Sequence, residues 1–228
     1  MLRCFTLSLV AIGVLLTAAP TSAQQAKGKK KAANPAYAQI KDEAGLPRVL
    51  IIGDSISIGY TLDVRENLKG KANVHRPATN CGPTIRGLES IDTWLGDGKW
   101  DVIHFNFGLH DVSLMEGKHQ VSPEDYEKNL SSLVGRMQKT GAKLIFATTT
   151  PIPKGSQGRN EGEEIKYNEI ARRVMEKNDV AINDLYAFAL PKLTKIQQPA
   201  NVHFSPSGST VLGNQVAETI EKALPKTK

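Results

Sequence analysis

Runs of residues apolar on both faces alternate along this chain with segments of helical spacing, and that alternation limits the fold more than any other feature. The runs at 49–52, 102–107 and 144–149 are rich in β-branched and aromatic residues, and weaker ones lie at 73–76 and 180–182. Between them, Ile85, Leu88, Ile91 and Leu95 fall on one helical face. Tyr126, Leu130, Leu133 and Met137 form a second such face, and Leu212, Val216, Ile220 and Leu224 a third. A strand with no polar face must be covered on both sides, which is the situation of a parallel sheet between two layers of helices. The pattern predicts an α/β fold, a three-layer α/β/α sandwich with a mostly parallel five-stranded sheet. In such sheets, sites form where strands end at their carboxyl edges.

The first residues have a different character. Arg3 is followed by an almost wholly apolar stretch at 5–18, which ends in the small residues Thr21, Ser22 and Ala23. That layout predicts a signal peptide over 1–23, since the apolar run is short for a membrane span; a retained N-terminal anchor is the alternative. The following "QQAKGKKKAANPAYAQ" has no periodicity and predicts a basic flexible linker over 24–45, with the folded domain at 46–228. Four lysines of the formal +6 charge belong to the quoted stretch, so the remainder is nearly balanced and nothing favours nucleic acid. With Cys4 in the signal segment, Cys81 has no partner for a disulfide, and an exported fold must rest on its core. The expected location is secreted, periplasmic or extracellular, with no stable membrane insertion once the signal is cleaved.

Chemistry-bearing residues recur in four separated blocks, three of them after expected strands. "VLIIGDSISIG" places Gly53, Asp54 and Ser55 after the first strand, and "NCGPT" at 80–84 follows the second. "GLHD" at 108–111 follows the third, and "NVHFSPSG" at 201–208 precedes the final helix. Each block alone has an ordinary reading: Ser55 as a helix cap, Gly82-Pro83 as a turn, His203 as a surface histidine. Together they supply what acyl transfer requires. A serine hydroxyl needs a base to take its proton. The tetrahedral intermediate needs preorganised donors for its oxyanion, and a glycine lets backbone approach that oxygen without a Cβ in the way.

In these four blocks, in this order, the chain from about residue 48 onward resembles the SGNH hydrolases, the GDSL esterase/lipase superfamily. The resemblance implies that Ser55 is the nucleophile and His203 the general base. It also implies an oxyanion hole made of the N–H groups of Ser55 and Gly82 with a side chain from the third block. Two positions depart from the family pattern. His110 stands where asparagine is usual, and a ring N–H can still donate there, subject to its tautomer and protonation. Ala200 stands where the family carries an aspartate three residues before the histidine, and Asn201 is at the wrong offset for a simple replacement. The site is then a Ser–His dyad, or His203 borrows an acceptor from a backbone carbonyl or a distant carboxylate. Asp184 is one candidate lender, although a cap or turn explains it equally well.

The other histidines, His75, His104 and His119, show no ligand spacing, so no metal and no cofactor is expected. Asp54 and Asp111 are expected to brace loops rather than react. The resemblance therefore implies a secreted serine esterase with a small-molecule or polysaccharide ester as its partner, O-acetyl carbohydrate first among them. A lysophospholipase or thioesterase of the same fold, or an inactive binding protein that keeps the frame, are the alternative readings.

Overall fold

The computed structural model describes residue 1, residues 34–96 and residues 98–225. The expected signal segment beyond residue 1, and the linker as far as residue 33, lie outside the described residues. In chain order the elements are β1 (Arg48–Ile52), α1 (Ser55–Asn67), β2 (Asn73–His75), α2 (Thr84–Leu95) and β3 (Val102–Phe105). A two-residue hairpin follows, β4 (Leu114–Met115) and β5 (Lys118–His119), then α3 (Pro123–Gln138), β6 (Lys143–Ala147) and α4 (Glu163–Lys177). The chain ends with β7 (Ala181–Asn183), α5 (Leu185–Ala189), α6 (Leu193–Ile196) and α7 (Pro206–Ala223). The main sheet has five strands in the order β2-β1-β3-β6-β7, every pairing parallel, as the apolar runs require.

Side chains alternate between two cores. Leu50, Ile52, Ile103, Phe105 and Phe146 join Leu130, Leu133 and Val134 of α3 and Ala171 and Val174 of α4 on one face. Val49, Ile51, Val102 and Ile145 join Tyr60 and Val64 of α1 and Leu212, Val216 and Ile220 of α7 on the other. Full burial of such a side chain contributes about 1.5–3 kcal/mol, so both faces stabilise the sheet.

Three expectations need correction. The strands at 102–107 and 144–149 stop two residues early, because side-chain amides replace the ladder there. Asn106 Nδ2 donates to Ala147 O (2.8 Å). Asn168 accepts the Thr149 N–H and donates back to its carbonyl, both at 2.8 Å. The α2 stripe also fails at its first position, while Leu88, Ile91 and Leu95 do face the core. Ile85 is 43 % exposed, while Thr84, Gly87, Ile91 and Leu95 are buried. Finally, residues 34–45 are not a tether. Asn34 caps a 3₁₀ turn at Pro35–Tyr37, Ala36 is buried, and Asn73 takes the Glu43 N–H (2.8 Å) and donates to its carbonyl (3.0 Å). Asp42 pairs with Arg48 (2.8 Å) and His75 (2.6 Å).

Because β2 and β3 flank β1 on opposite sides, a crevice opens beyond the carboxyl ends of β1 and β3. The helices that leave it are clamped together. A Cβ on Gly213 of α7 would lie 2.6 Å from Asp63 Cβ and 3.3 Å from Tyr60 O of α1, so only glycine permits this approach. At the start of α7, a Cβ on Gly208 would lie 2.1 Å from the backbone oxygen of Ile196. Gly208→Ala should therefore lower stability by about 1–3 kcal/mol, the usual cost of overpacking against atoms that cannot move aside. Gly135→Ala, in α3 with nothing within 4 Å, should raise it by about 0.5–1 kcal/mol. Urea denaturation of both variants checks the pair; equal effects would show that the α7 contact is not tight.

Candidate active site

The turn at the end of β1 is held from beneath. Asp54 is buried and caps α1, its Oδ1 accepting the Ile56 N–H (2.9 Å). Ser57 Oγ donates to Asp54 O (2.7 Å) and Cys81 N–H to Gly53 O (3.2 Å), which ties the first and second blocks together. Arg76, only 3 % exposed, inserts its guanidinium below the turn. It donates to Thr61 Oγ1 (2.8 Å), Ser57 Oγ (3.3 Å), Gly53 O (3.4 Å) and Thr79 O (3.3 Å). Ser55 is left half-buried as the first residue of α1, its N–H one of the donors that a helix start leaves without an intrahelical partner.

His203 reaches Ser55 from the loop before α7, with Nε2 2.8 Å from Ser55 Oγ. Its Nδ1 lies 2.8 Å from Asn201 Oδ1, which also accepts the His203 backbone N–H at 3.0 Å. The second bond settles the first. A backbone N–H can only donate, so the amide atom it meets is the oxygen, and Nδ1 must carry the ring proton. Nε2 is then a free acceptor aimed at the serine hydroxyl. The expectation of a dyad or a distant acceptor is thus corrected: Asn201, two residues before the histidine, fills the place. A tight turn with Ala200 in the left-handed region (φ 51°) makes the unusual offset work. Asp184 is elsewhere, capping α5 and paired with Arg172 and Thr148. The loop is pinned by Gln197, whose Nε2 donates to Pro151 O (2.8 Å) and Val202 O (3.2 Å).

Gly82 and His110 line one groove together with Asn80, Pro83, Ile85 and Arg86. Gly82 has φ +64°, and its N–H is engaged by Asn80 Oδ1 at 2.9 Å. Burial holds the His110 ring below its ordinary pKa, against the pull of Asp54, and Arg159, His203 and Arg86 push the same way as burial. Its neutral ring has one N–H to donate. A second groove contains His203, Asn201, Ala200 and Arg159. Arg76 and Arg159 carried no motif signal; Asn80 and Asn201 lay inside the second and fourth blocks without a role of their own.

Asp111 does brace the site. Its Oδ1 accepts the Thr84 N–H (2.8 Å) and hydroxyl (2.5 Å) at the start of α2, joining the third block to the second. Burial pushes its carboxyl up to about 6, more than these bonds pull it down. The folded pKa exceeds the ordinary 3.8, so the protonated acid favours the folded state. Its contribution is complete below pH 3.8 and lost as pH rises through about 6. Relative to Asp111→Asn, the protein should lose on the order of 2–3 kcal/mol between pH 4 and 7. Denaturation at several pH values measures this; a constant difference would mean that the carboxyl is not desolvated.

His104 is fully buried, its Nε2 3.2 Å from Asn183 Nδ2, and burial lowers its pKa to about 3. It is a neutral core residue of β3, away from the crevice chemistry.

Comparison with solved structures finds the same fold. A lipase/acylhydrolase from Enterococcus faecalis is 20 % identical, with TM-score 0.69 over 80 % of this chain and 100 % of its own. The acetylxylan esterase Axe2 from Geobacillus stearothermophilus is 20 % identical, with TM-score 0.66 over 82 % and 100 %. The acetyl xylan esterase AlAXEase is 18 % identical, with TM-score 0.67 over 76 % and 99 %. A comparison with the curated proteins returned no match. Residues 51–211, which carry all four blocks, match the GDSL-like lipase/acylhydrolase family, and the chain belongs to that family of carboxylic ester hydrolases.

Proposed function

We propose that this chain is a secreted serine esterase that removes O-acetyl groups from carbohydrate through an acyl-Ser55 intermediate. The observation that carries the catalytic part is the continuous hydrogen-bonded line from Ser55 Oγ through His203 to Asn201. Export is supported by the apolar stretch at 5–18 and the small residues after it. The carbohydrate substrate is supported by likeness in fold to proteins named acetylxylan esterases, and by grooves at His110 and at His203.

In this reading His203 Nε2 takes the Ser55 proton as Oγ attacks the ester carbonyl. The developing oxyanion is met by the Ser55 N–H, a ring N–H of His110 and the Gly82 N–H. The last of these must be released or shared by Asn80 as the oxyanion forms. Collapse of the intermediate expels the alcohol, which takes the proton from His203. Water then repeats the sequence on the acyl enzyme and frees the acid. Asn201 keeps the ring in the productive tautomer, which an amide free to rotate would not do. Being neutral, it gives the imidazolium no opposing charge.

Two measurements test this. A fluorophosphonate probe should label the protein once, at Ser55, and Ser55→Ala should abolish both labelling and ester hydrolysis. Labelling of another serine would overturn the assignment. Asn201→Asp should place a carboxylate on the same two donors, raise turnover, and move the acidic limb of the pH–rate profile up by about one unit or more, because a negative charge favours the protonated ring. Asn201→Ala should lower turnover. If both leave rate and profile unchanged, Asn201 does not orient the base.

A further inference from the structure

Eight arginines lie among the described residues, and their pairing is uneven. Arg48, Arg136, Arg172 and Arg173 each meet a carboxylate within 4 Å. Among the described residues Arg65, Arg76, Arg86 and Arg159 meet none, and three of these four surround Ser55. Arg76 lies beneath the turn, and its donors are taken up by carbonyl and hydroxyl oxygens. Arg86 lies on the Gly82 groove, which Glu89 also lines, and donates to Thr79 Oγ1 (2.9 Å).

Arg159 differs from both. It is half-buried, its Nε donates to Leu109 O (2.7 Å), and it lines the groove shared by His203, Asn201 and Gln157. Its Nη1 and Nη2 have no hydrogen-bond partner among the described residues. One edge of the guanidinium is therefore fixed on the loop that carries His110, and the remaining donors are free beside the general base. Partly removing a cation from water with no carboxylate in contact is costly, and burial pulls this group below its ordinary pKa although the charge of Asp54 acts against it. A planar fork held at one edge is suited to a two-oxygen anion.

The reaction geometry says which half of the substrate meets it. His203 must deliver its proton to the leaving oxygen, so the alcohol lies against the imidazole, and the groove that starts at His203 is the one that contains Arg159. We infer that Arg159 forms a subsite for an anionic group carried on the alcohol half of the ester, a carboxylate of the kind borne by acidic sugars. This rests on the esterase reading and narrows its substrate from carbohydrate in general to acetylated acidic carbohydrate. A phosphate on the alcohol would meet the same donors, and the test separates the two.

The probes are 4-acetoxybenzoate, its neutral methyl ester, and 4-acetoxyphenyl phosphate, which share one acetyl group and differ in the charge of the leaving alcohol. For each, kcat/KM of Arg159→Gln, which keeps a donor for Leu109 O, is divided by that of the wild type. The ratio should fall about 10- to 100-fold further for the carboxylate than for the neutral ester, the range expected for a charged hydrogen-bonded contact, and Arg159→Lys should recover part of it. A larger fall for the phosphate ester would reassign the anion to phosphate and overturn the acidic-sugar assignment. Equal ratios for all three would overturn the subsite while leaving the esterase reading intact. Binding of 4-hydroxybenzoate by calorimetry supplies a readout free of turnover. If no ester is cleaved, the esterase reading fails, and weaker binding to Arg159→Gln, or equal binding, still decides for or against the subsite.

Discussion

The carbonyl oxygen at the end of β1 is the point to which the site is tied. Gly53 O receives the Cys81 N–H and the Arg76 guanidinium, so the serine turn, the glycine loop and the end of β2 are joined within one hydrogen-bond shell. Asp54 and Ser57 close the same turn from the helix side. Asp111 then fastens the third block to the start of α2 through Thr84. Removing any of these bonds would leave buried polar groups unpaired, which costs more than the bonds contribute when made.

His203 depends on a separate arrangement. Its loop is anchored to the end of β6 by Gln197 and to the start of α7, and α7 is pressed against α1 at Gly213. The serine and the histidine, 148 positions apart, are therefore fixed by one helix–helix contact and one side-chain amide. The absence of a carboxylate beside the ring changes the electrostatics more than the geometry. Asn201 supplies the acceptor in the right orientation because its oxygen is already committed to a backbone N–H. With cations beneath and beside the serine and a neutral third member, the crevice is more positive than a site with an aspartate at this place would be. That favours developing negative charge at the serine.

The fold was legible because a parallel sheet leaves a strong mark: β1, β3 and β6 have no polar face, and helices α3 and α7 keep their periodic stripes. Strand ends were less legible, since Asn106 and Asn168 end the ladders from positions distant in sequence. Ile85 was assigned to the α2 core by spacing alone, but the helix is rotated so that Thr84 and Gly87 face inward. The part of the linker at 34–45 has no period to read, because single polar contacts through Asn73 and Asp42 hold it.

By itself the sequence determined where the buried strands run and which chemistry-bearing blocks lie between the elements, since both follow from local pattern and residue chemistry. Ser55, Gly82, His110 and His203 are named, without any coordinates, by the resemblance those blocks carry. What orients His203 was decided only by the tertiary structure, because an Asn–x–His turn through Ala200 in the left-handed region has no counterpart in linear spacing. The burial of Arg76 beneath the turn and the stance of Arg159 beside the base were decided there too. A side chain's partners depend on what the rest of the chain packs around it, and no local pattern encodes that.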